Sequence, residues 1–131
     1  MSTSNPIVAL IELEWTNYDF AKRLTLESNQ PFFKEMMEQV QEDAEGNYHY
    51  LQTMHYATYG QYVEHSRERI SFETFEEGVQ LALRHALRTA RAYRGWYSAS
   101  SYTFRDKQVF QSLHNAMDHA LMYSTIYGRL R

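Results

Sequence analysis

Apolar residues recur every three or four positions along most of the chain, which is the spacing of one face of an α-helix. The first such run follows Asn5-Pro6, and the second follows Gln30-Pro31. Proline suits the first helical position because the N–H that it lacks would have no helical partner there. The pattern predicts helices over about 6–28 and 31–68.

The second predicted helix contains Glu45-Gly46-Asn47. A glycine in a helix interior costs about 1 kcal/mol relative to alanine. The apolar stripe resumes at Tyr48 nearly in phase. The sequence is therefore consistent with one long kinked helix, and equally with two helices split near 45–47.

Two further helices are predicted over about 72–97 and 104–129. Ser71 is the expected N-cap of the third helix, and Thr103-Phe-Arg-Asp106 resembles a capping box before the fourth. The predicted core stripe of the fourth helix comprises Phe110, Leu113, Met117, Ala120, Ser124 and Tyr127.

No run of residues alternates as a half-buried strand does, so the predicted fold class is all-α. Loops of two to six residues would make successive helices antiparallel neighbours. The expected architecture is a compact antiparallel four-helix bundle, or a five-helix arrangement if the second helix is split.

The composition fits one helical domain over 1–131, with 44% hydrophobic and 15% aromatic residues. The absence of cysteine excludes disulfides, thiolate metal sites and thiol catalysis. The apolar run Ile7–Ile11 has no basic segment before it and ends at Glu12. We therefore expect no signal peptide, no membrane contact and a cytoplasmic protein.

Charge is divided unevenly along the chain. Residues 1–77 contain 14 acidic and 5 basic residues, whereas residues 78–131 contain 2 acidic and 8 basic ones. The two sets of charges either pair with each other within the folded protein or leave a basic face for an anionic partner.

Arginines at 84, 88 and 91 share one face of the third predicted helix. Arg94, Trp96, Tyr97 and Arg105 follow. Guanidinium groups match phosphate geometry and aromatic rings stack on unpaired bases, so one hypothesis is a nucleic-acid-binding subunit. The alternative is that these arginines neutralise acidic residues on the second helix, namely Glu35, Glu38, Glu42 and Asp43, or are simply solvated.

A metal site is a second hypothesis. Glu14 falls on the apolar stripe of the first helix, where a lone carboxylate is costly. Two pairs spaced i, i+4, Glu45/His49 and His114/Asp118, could each present a nitrogen and an oxygen on one face. Together these five residues suggest a ferritin-like metal-dependent oxidoreductase, although the chain contains no Glu-x-x-His pair.

Residues 48–65 contain five of the eleven tyrosines and three of the six histidines. Their helical phase gives Tyr48, Leu51, His55, Thr58 and Tyr62 one common face, and leaves Tyr56 and Tyr59 on others. Tyrosine and arginine are enriched at interface hot spots, so Tyr56, Tyr59 and Tyr62 are predicted to contact a partner.

No nucleophile elbow or glycine-rich phosphate loop occurs, so we predict no catalytic residue and no cofactor. The sequence favours a small non-enzymatic helical binding protein: an adaptor, an inhibitor or a subunit of a larger complex. A protein partner or self-association is expected, through the tyrosine-rich helix and the arginine/aromatic patch.

Overall fold

The computed structural model describes residues 5–99 and 107–130, and it contains four helices and no strand within those ranges. The helices are α1 (Pro6–Glu27), α2 (Pro31–Tyr59), α3 (Phe75–Ala99) and α4 (Lys107–Arg129). The prediction of an all-α four-helix bundle is confirmed.

Proline begins both of the first two helices, as the sequence predicts. The side chain of Asn5 caps α1 by accepting a 2.9 Å hydrogen bond from the backbone N–H of Ile7. Helix α2 passes through 45–47 without a break and ends earlier than expected, at Tyr59 instead of near 68. Gly60 closes it with a φ of 78°, a left-handed conformation that glycine adopts without strain.

Helix α3 begins three residues later than expected, because Thr74 and not Ser71 caps it. The Thr74 hydroxyl accepts a 3.0 Å hydrogen bond from the backbone N–H of Glu77. The Glu77 carboxylate in turn accepts a 2.7 Å bond from the backbone N–H of Glu73. These two bonds satisfy donors at the helix start in the manner of a capping box. The predicted capping box at 103–106 lies outside the described residues.

The connection between α2 and α3 differs most from the prediction. Residues 60–74, hereafter the crossover segment, run back along the bundle from the end of α2 to the end of α1. Helices α2 and α3 are consequently parallel and lie across the bundle from each other, while α1 packs on both and α4 packs on α3 and α2. A four-helix bundle with one long crossover is a known alternative to the simple up-and-down arrangement.

Hydrophobic side chains fill two clusters, one towards each end of the bundle. The first is built around Phe20, Leu24 and Met37, and the second around Leu10, Ile11 and Tyr93. Helices α1 and α3 contribute buried residues to both clusters. No helix in the described ranges is both long and apolar enough to cross a membrane.

The predicted core stripe of α4 is wrong in its register by one residue. The buried positions are Val109, Ser112, Ala116, His119, Ala120, Tyr123 and Ile126. Phe110 and Met117, which were expected in the core, are 46% and 53% exposed. The core register includes Ser112 and His119 because both side chains have hydrogen-bond partners inside the bundle.

Candidate interaction surfaces

A buried polar layer separates the two hydrophobic clusters, and Glu14 is its centre. This carboxylate is only 1% exposed. It accepts hydrogen bonds from the Tyr93 hydroxyl at 2.7 Å, from Asn47 Nδ2 at 2.9 Å and from Asn17 Nδ2 at 3.3 Å. The Ser112 hydroxyl donates to Asn47 Oδ1 at 2.9 Å, so all four helices contribute to the layer.

Burial determines the acidity of the groups in this layer. Loss of hydration raises the pKa of Glu14, and the hydrogen bond from Tyr93 offsets part of that rise. Burial also raises the pKa of Tyr93 well above its ordinary value, and the neighbouring Glu14 carboxylate adds to the shift. Tyr93 therefore remains a hydrogen-bond donor to Glu14 at any physiological pH.

The buried His119 and the half-buried Asp43 form a second polar contact between helices, which the sequence analysis did not identify. His119 Nε2 lies 2.9 Å from Asp43 Oδ2, which joins α4 to α2. Sequence reasoning placed Asp43 only among the acidic residues of α2. The sequence contains one signal for this contact. Moving the predicted core stripe of α4 back by one residue places His119 at a core position.

The five candidate metal ligands occupy three separate places. Glu14 lies in the core, Glu45 and His49 line a cavity beside α1 and α2, and His114 and Asp118 are exposed on α4. Within the described ranges, no three histidine, aspartate or glutamate side chains come together as a metal site would require. Hydrogen bonds from amide and hydroxyl groups satisfy the Glu14 carboxylate.

An apolar groove of about 410 Å³ runs between α3 and α4. We call it the α3–α4 groove, and it is lined by Leu87, Ala90, Arg91, Arg94, Leu113 and Met117. Leu87 is 41% exposed and Met117 is 53% exposed. On the same side of α4 as Leu113 and Met117, Phe110 and Leu121 continue the helical spacing of the apolar surface, and Leu121 is 67% exposed. Besides its buried core stripe, α4 thus has a second apolar stripe, which comprises Phe110, Leu113, Met117 and Leu121.

The arginines predicted to form one face lie exposed along α3: Arg84, Arg88, Arg91 and Arg94. None of them forms an ion pair with another described residue. The acidic residues proposed to neutralise them, Glu35, Glu38 and Glu42, are exposed on α2. Helix α2 does not pack on α3, and no ion pair among the described residues joins the two sets of charges.

The aromatic residues at the end of α3 are less accessible than the arginines. Trp96 and Tyr97 are half-buried and pack against the hydrophobic cluster around Tyr93. The rings of Tyr97 and Phe110 lie 5.7 Å apart between centroids. Arg105, the last residue of the predicted patch, lies outside the described residues.

The predicted tyrosine contact residues form a separate surface near the end of α2. Tyr56, Tyr59 and Tyr62 are 49%, 56% and 61% exposed. The rings of Tyr56 and Tyr62 lie 4.7 Å apart between centroids, and Tyr59 packs on His55 at the same separation. Tyr62 lies in the crossover segment and not on α2, so the single helical face predicted through residue 62 is wrong at that end.

Comparison with protein-family models, with curated proteins and with solved structures yields no match to this chain. The surfaces themselves therefore provide the basis for any functional assignment. Two of them differ in chemistry and position: the basic, apolar α3–α4 groove, and the tyrosine surface at the end of α2.

Proposed function

We propose that this protein is a non-enzymatic binding protein whose α3–α4 groove accepts an acidic amphipathic helix of a partner protein. The observation that carries the proposal is the combination of an open apolar groove with arginines that have no partner among the described residues. Helix-in-groove recognition uses apolar anchors on one face of the incoming helix and leaves its polar flanks at the rim of the groove.

The apolar part of the groove argues for a peptide. Leu87, Leu113 and Met117 offer aliphatic and thioether surface, which suits leucine or phenylalanine anchors. Exposed apolar side chains that form a continuous patch with a polar rim are typical of interaction sites on proteins.

The positive charge at the rim of the groove favours a negatively charged partner. Arg91 and Arg94 border the groove directly, and Arg84 and Arg88 extend the positive charge along α3. Carboxylates flanking the anchors of a bound helix would pair with these guanidinium groups, which form bidentate hydrogen bonds with carboxylates. Such pairs at a rim chiefly raise the association rate and select against basic partners.

A designed peptide provides the test. The probe is a helix of about 20 residues with leucine at i, i+3, i+4 and i+7 and glutamate at most other positions. A second peptide of identical composition but alternating order serves as the control. In a ¹H–¹⁵N correlation spectrum, we expect the amphipathic peptide to shift the signals of Leu87, Ala90, Leu113 and Met117. Equal effects of the two peptides, or shifts confined to other surfaces, would exclude the groove.

Nucleic-acid binding is a second candidate function, and the exposure of the arginine face favours it. A phosphate backbone would engage Arg88 and Arg91, and retention of single-stranded DNA or RNA would fall steeply as salt rises. Replacement of both arginines by alanine should weaken the retention of single-stranded nucleic acid. Met117→Ser separates the two functions, because it should impair peptide binding and leave nucleic-acid retention unchanged. Absence of a gel shift at about 50 mM salt would end this second candidate.

A further inference from the structure

A cavity on the side of the bundle opposite the α3–α4 groove is lined by residues that neither proposed function uses. It encloses about 170 Å³ between α1, α2 and the crossover segment, and we call it the aromatic cavity. Its lining consists of Trp15, Tyr18, Glu45, Tyr48, His49 and Arg67. Three large aromatic rings and a carboxylate thus face one small opening.

One of the protein's own cations already lies at the cavity, and a second lies over the ring of a lining residue. Arg67 Cζ lies 6.0 Å from the centroid of the Trp15 ring, and Lys22 Nζ lies 5.9 Å from the centroid of the Tyr18 ring. These distances are at the limit at which a cation is attracted by the negative face of an aromatic ring. Arg67, the cation that lines the cavity, is an exposed side chain, so a ligand can displace it.

The aromatic walls are held in position before any ligand arrives. The Tyr48 hydroxyl accepts a 3.2 Å hydrogen bond from Gln52 Nε2 and lies 2.6 Å from His65 Nε2. The His65 ring also packs against Trp15, with 6.2 Å between ring centroids. A wall fixed in this way loses little conformational entropy on binding.

We propose that the aromatic cavity binds a methylated ammonium group, with Trp15, Tyr18 and Tyr48 facing the methyl groups and Glu45 balancing the charge. Aromatic rings bind quaternary ammonium ions through cation–π attraction, and methyl groups make the ion weakly hydrated and able to pack on the rings. The small volume suits a head group and not a drug-sized molecule, for which pockets of about 300–1,000 Å³ are usual. Arg67 is the internal competitor that the ligand displaces.

Choline and its neutral carbon analogue 3,3-dimethylbutan-1-ol test the proposal. The two have nearly the same shape, and only choline is charged. Binding is followed through the indole N–H signal of Trp15, which Trp96→Phe leaves as the only tryptophan. Titrations are made at constant ionic strength. We expect choline to bind at least about tenfold more tightly than the analogue.

Two surface variants and one distant control sharpen the result. Glu45→Gln should weaken choline binding by about three- to tenfold, and Arg67→Ala should strengthen it by about two- to fivefold. Arg84→Ala, on the far side of the bundle, should leave it unchanged. Equal binding of choline and the analogue would overturn the proposal, as would a Glu45→Gln variant with unaltered affinity or no shift of the Trp15 signal up to about 20 mM choline.

The same chemistry occurs in free choline-type molecules and in trimethylated lysine side chains. A short peptide containing trimethyllysine, compared with the same peptide containing unmodified lysine, distinguishes these sources. Binding of the trimethylated peptide more tightly than choline would assign the ligand to a protein tail, and the reverse order would assign it to a small molecule. The site is independent of the α3–α4 groove, so failure of one proposal does not affect the other.

Discussion

The hydroxyl of Tyr93 on α3 donates a 2.7 Å hydrogen bond to the buried Glu14 carboxylate on α1. This bond joins two helices at the level where apolar packing is interrupted. A carboxylate in this position is stable only because every helix of the bundle contributes polar groups to the layer around it. The layer therefore fixes the relative register of the helices as well as their contact.

Tyr93→Phe is expected to destabilise the fold by about 1.5–3 kcal/mol, because it removes a hydrogen bond to a buried charged or partly charged acceptor. Urea unfolding followed by circular dichroism measures the effect. Tyr56→Phe, which removes a hydroxyl from an exposed ring, is the matched control and should change stability by less than about 0.5 kcal/mol. Equal effects of the two variants would contradict a structural role for the Tyr93–Glu14 bond.

Glu14→Gln should alter how stability depends on pH. Because burial raises the pKa of Glu14 above its ordinary value of 4.5, the folded protein holds this proton more tightly than the unfolded chain does. This contribution to stability is complete below about pH 4.5 and is lost as the pH rises through the raised pKa.

Glutamine does not titrate, so the stability of the Glu14→Gln variant should not fall as the pH rises through the raised pKa of Glu14. Urea unfolding at a series of pH values, with the exposed Glu12→Gln as control, checks this expectation. Glu12→Gln should follow the unmodified protein. Parallel curves for all three proteins would show that Glu14 does not titrate differently in the folded state.

Gly78→Ala should destabilise the protein, although alanine is the better helix former. A methyl group at this position would lie 2.8 Å from Leu24 Cδ2 and 2.8 Å from the Phe72 ring. Overpacking costs about 1–3 kcal/mol, and over most of this range the cost exceeds the gain of about 1 kcal/mol in helix propensity.

Gly46→Ala provides the opposite case, because nothing lies within 4 Å of the added methyl group. This variant should raise stability by about 0.5–1 kcal/mol. Thermal unfolding of both variants checks the pair. A stabilised Gly78→Ala protein would mean that the crossover segment does not pack on α3 as described.

Gln52→Ala should release the crossover segment from α2 without unfolding the bundle. The Gln52 side chain accepts a 2.8 Å bond from the Val63 N–H and donates a 3.0 Å bond to the Val63 carbonyl. We expect faster hydrogen exchange at the Val63 amide and faster proteolysis within 60–74. Gln39→Ala, which loses only an exposed bond to Asp43, is the control. Unchanged exchange at Val63 would contradict the anchoring role.

Helical spacing and proline placement were sufficient to predict the fold class and the starts of α1 and α2. The register of α4 was not predictable in the same way, because apolar residues occupy two adjacent stripes of that helix. Ser112 and His119 make the true core stripe look less apolar than the exposed one containing Phe110 and Met117. Only the partners Asn47 and Asp43, distant in sequence, make their burial favourable.

The candidate site shows the same limit of sequence reasoning. The need of Glu14 for a partner followed from its place on the α1 stripe. The identity of that partner did not, because Tyr93 lies 79 residues away along the chain. The path of the crossover segment determines whether α3, with Arg88 and Arg91, lies next to α2. The sequence contains no periodic pattern that predicts this path.

The most direct test of the proposed function is the affinity of the acidic amphipathic peptide for three proteins: the unmodified chain, an Arg91→Glu/Arg94→Glu variant and a Lys34→Glu/Lys22→Glu variant. The two variants change net charge equally, and only the first alters the groove. We predict that the arginine variant weakens binding by at least about tenfold, whereas the lysine variant changes it by less than about threefold. Equal losses in both variants would show that net charge, and not the α3–α4 groove, attracts the peptide.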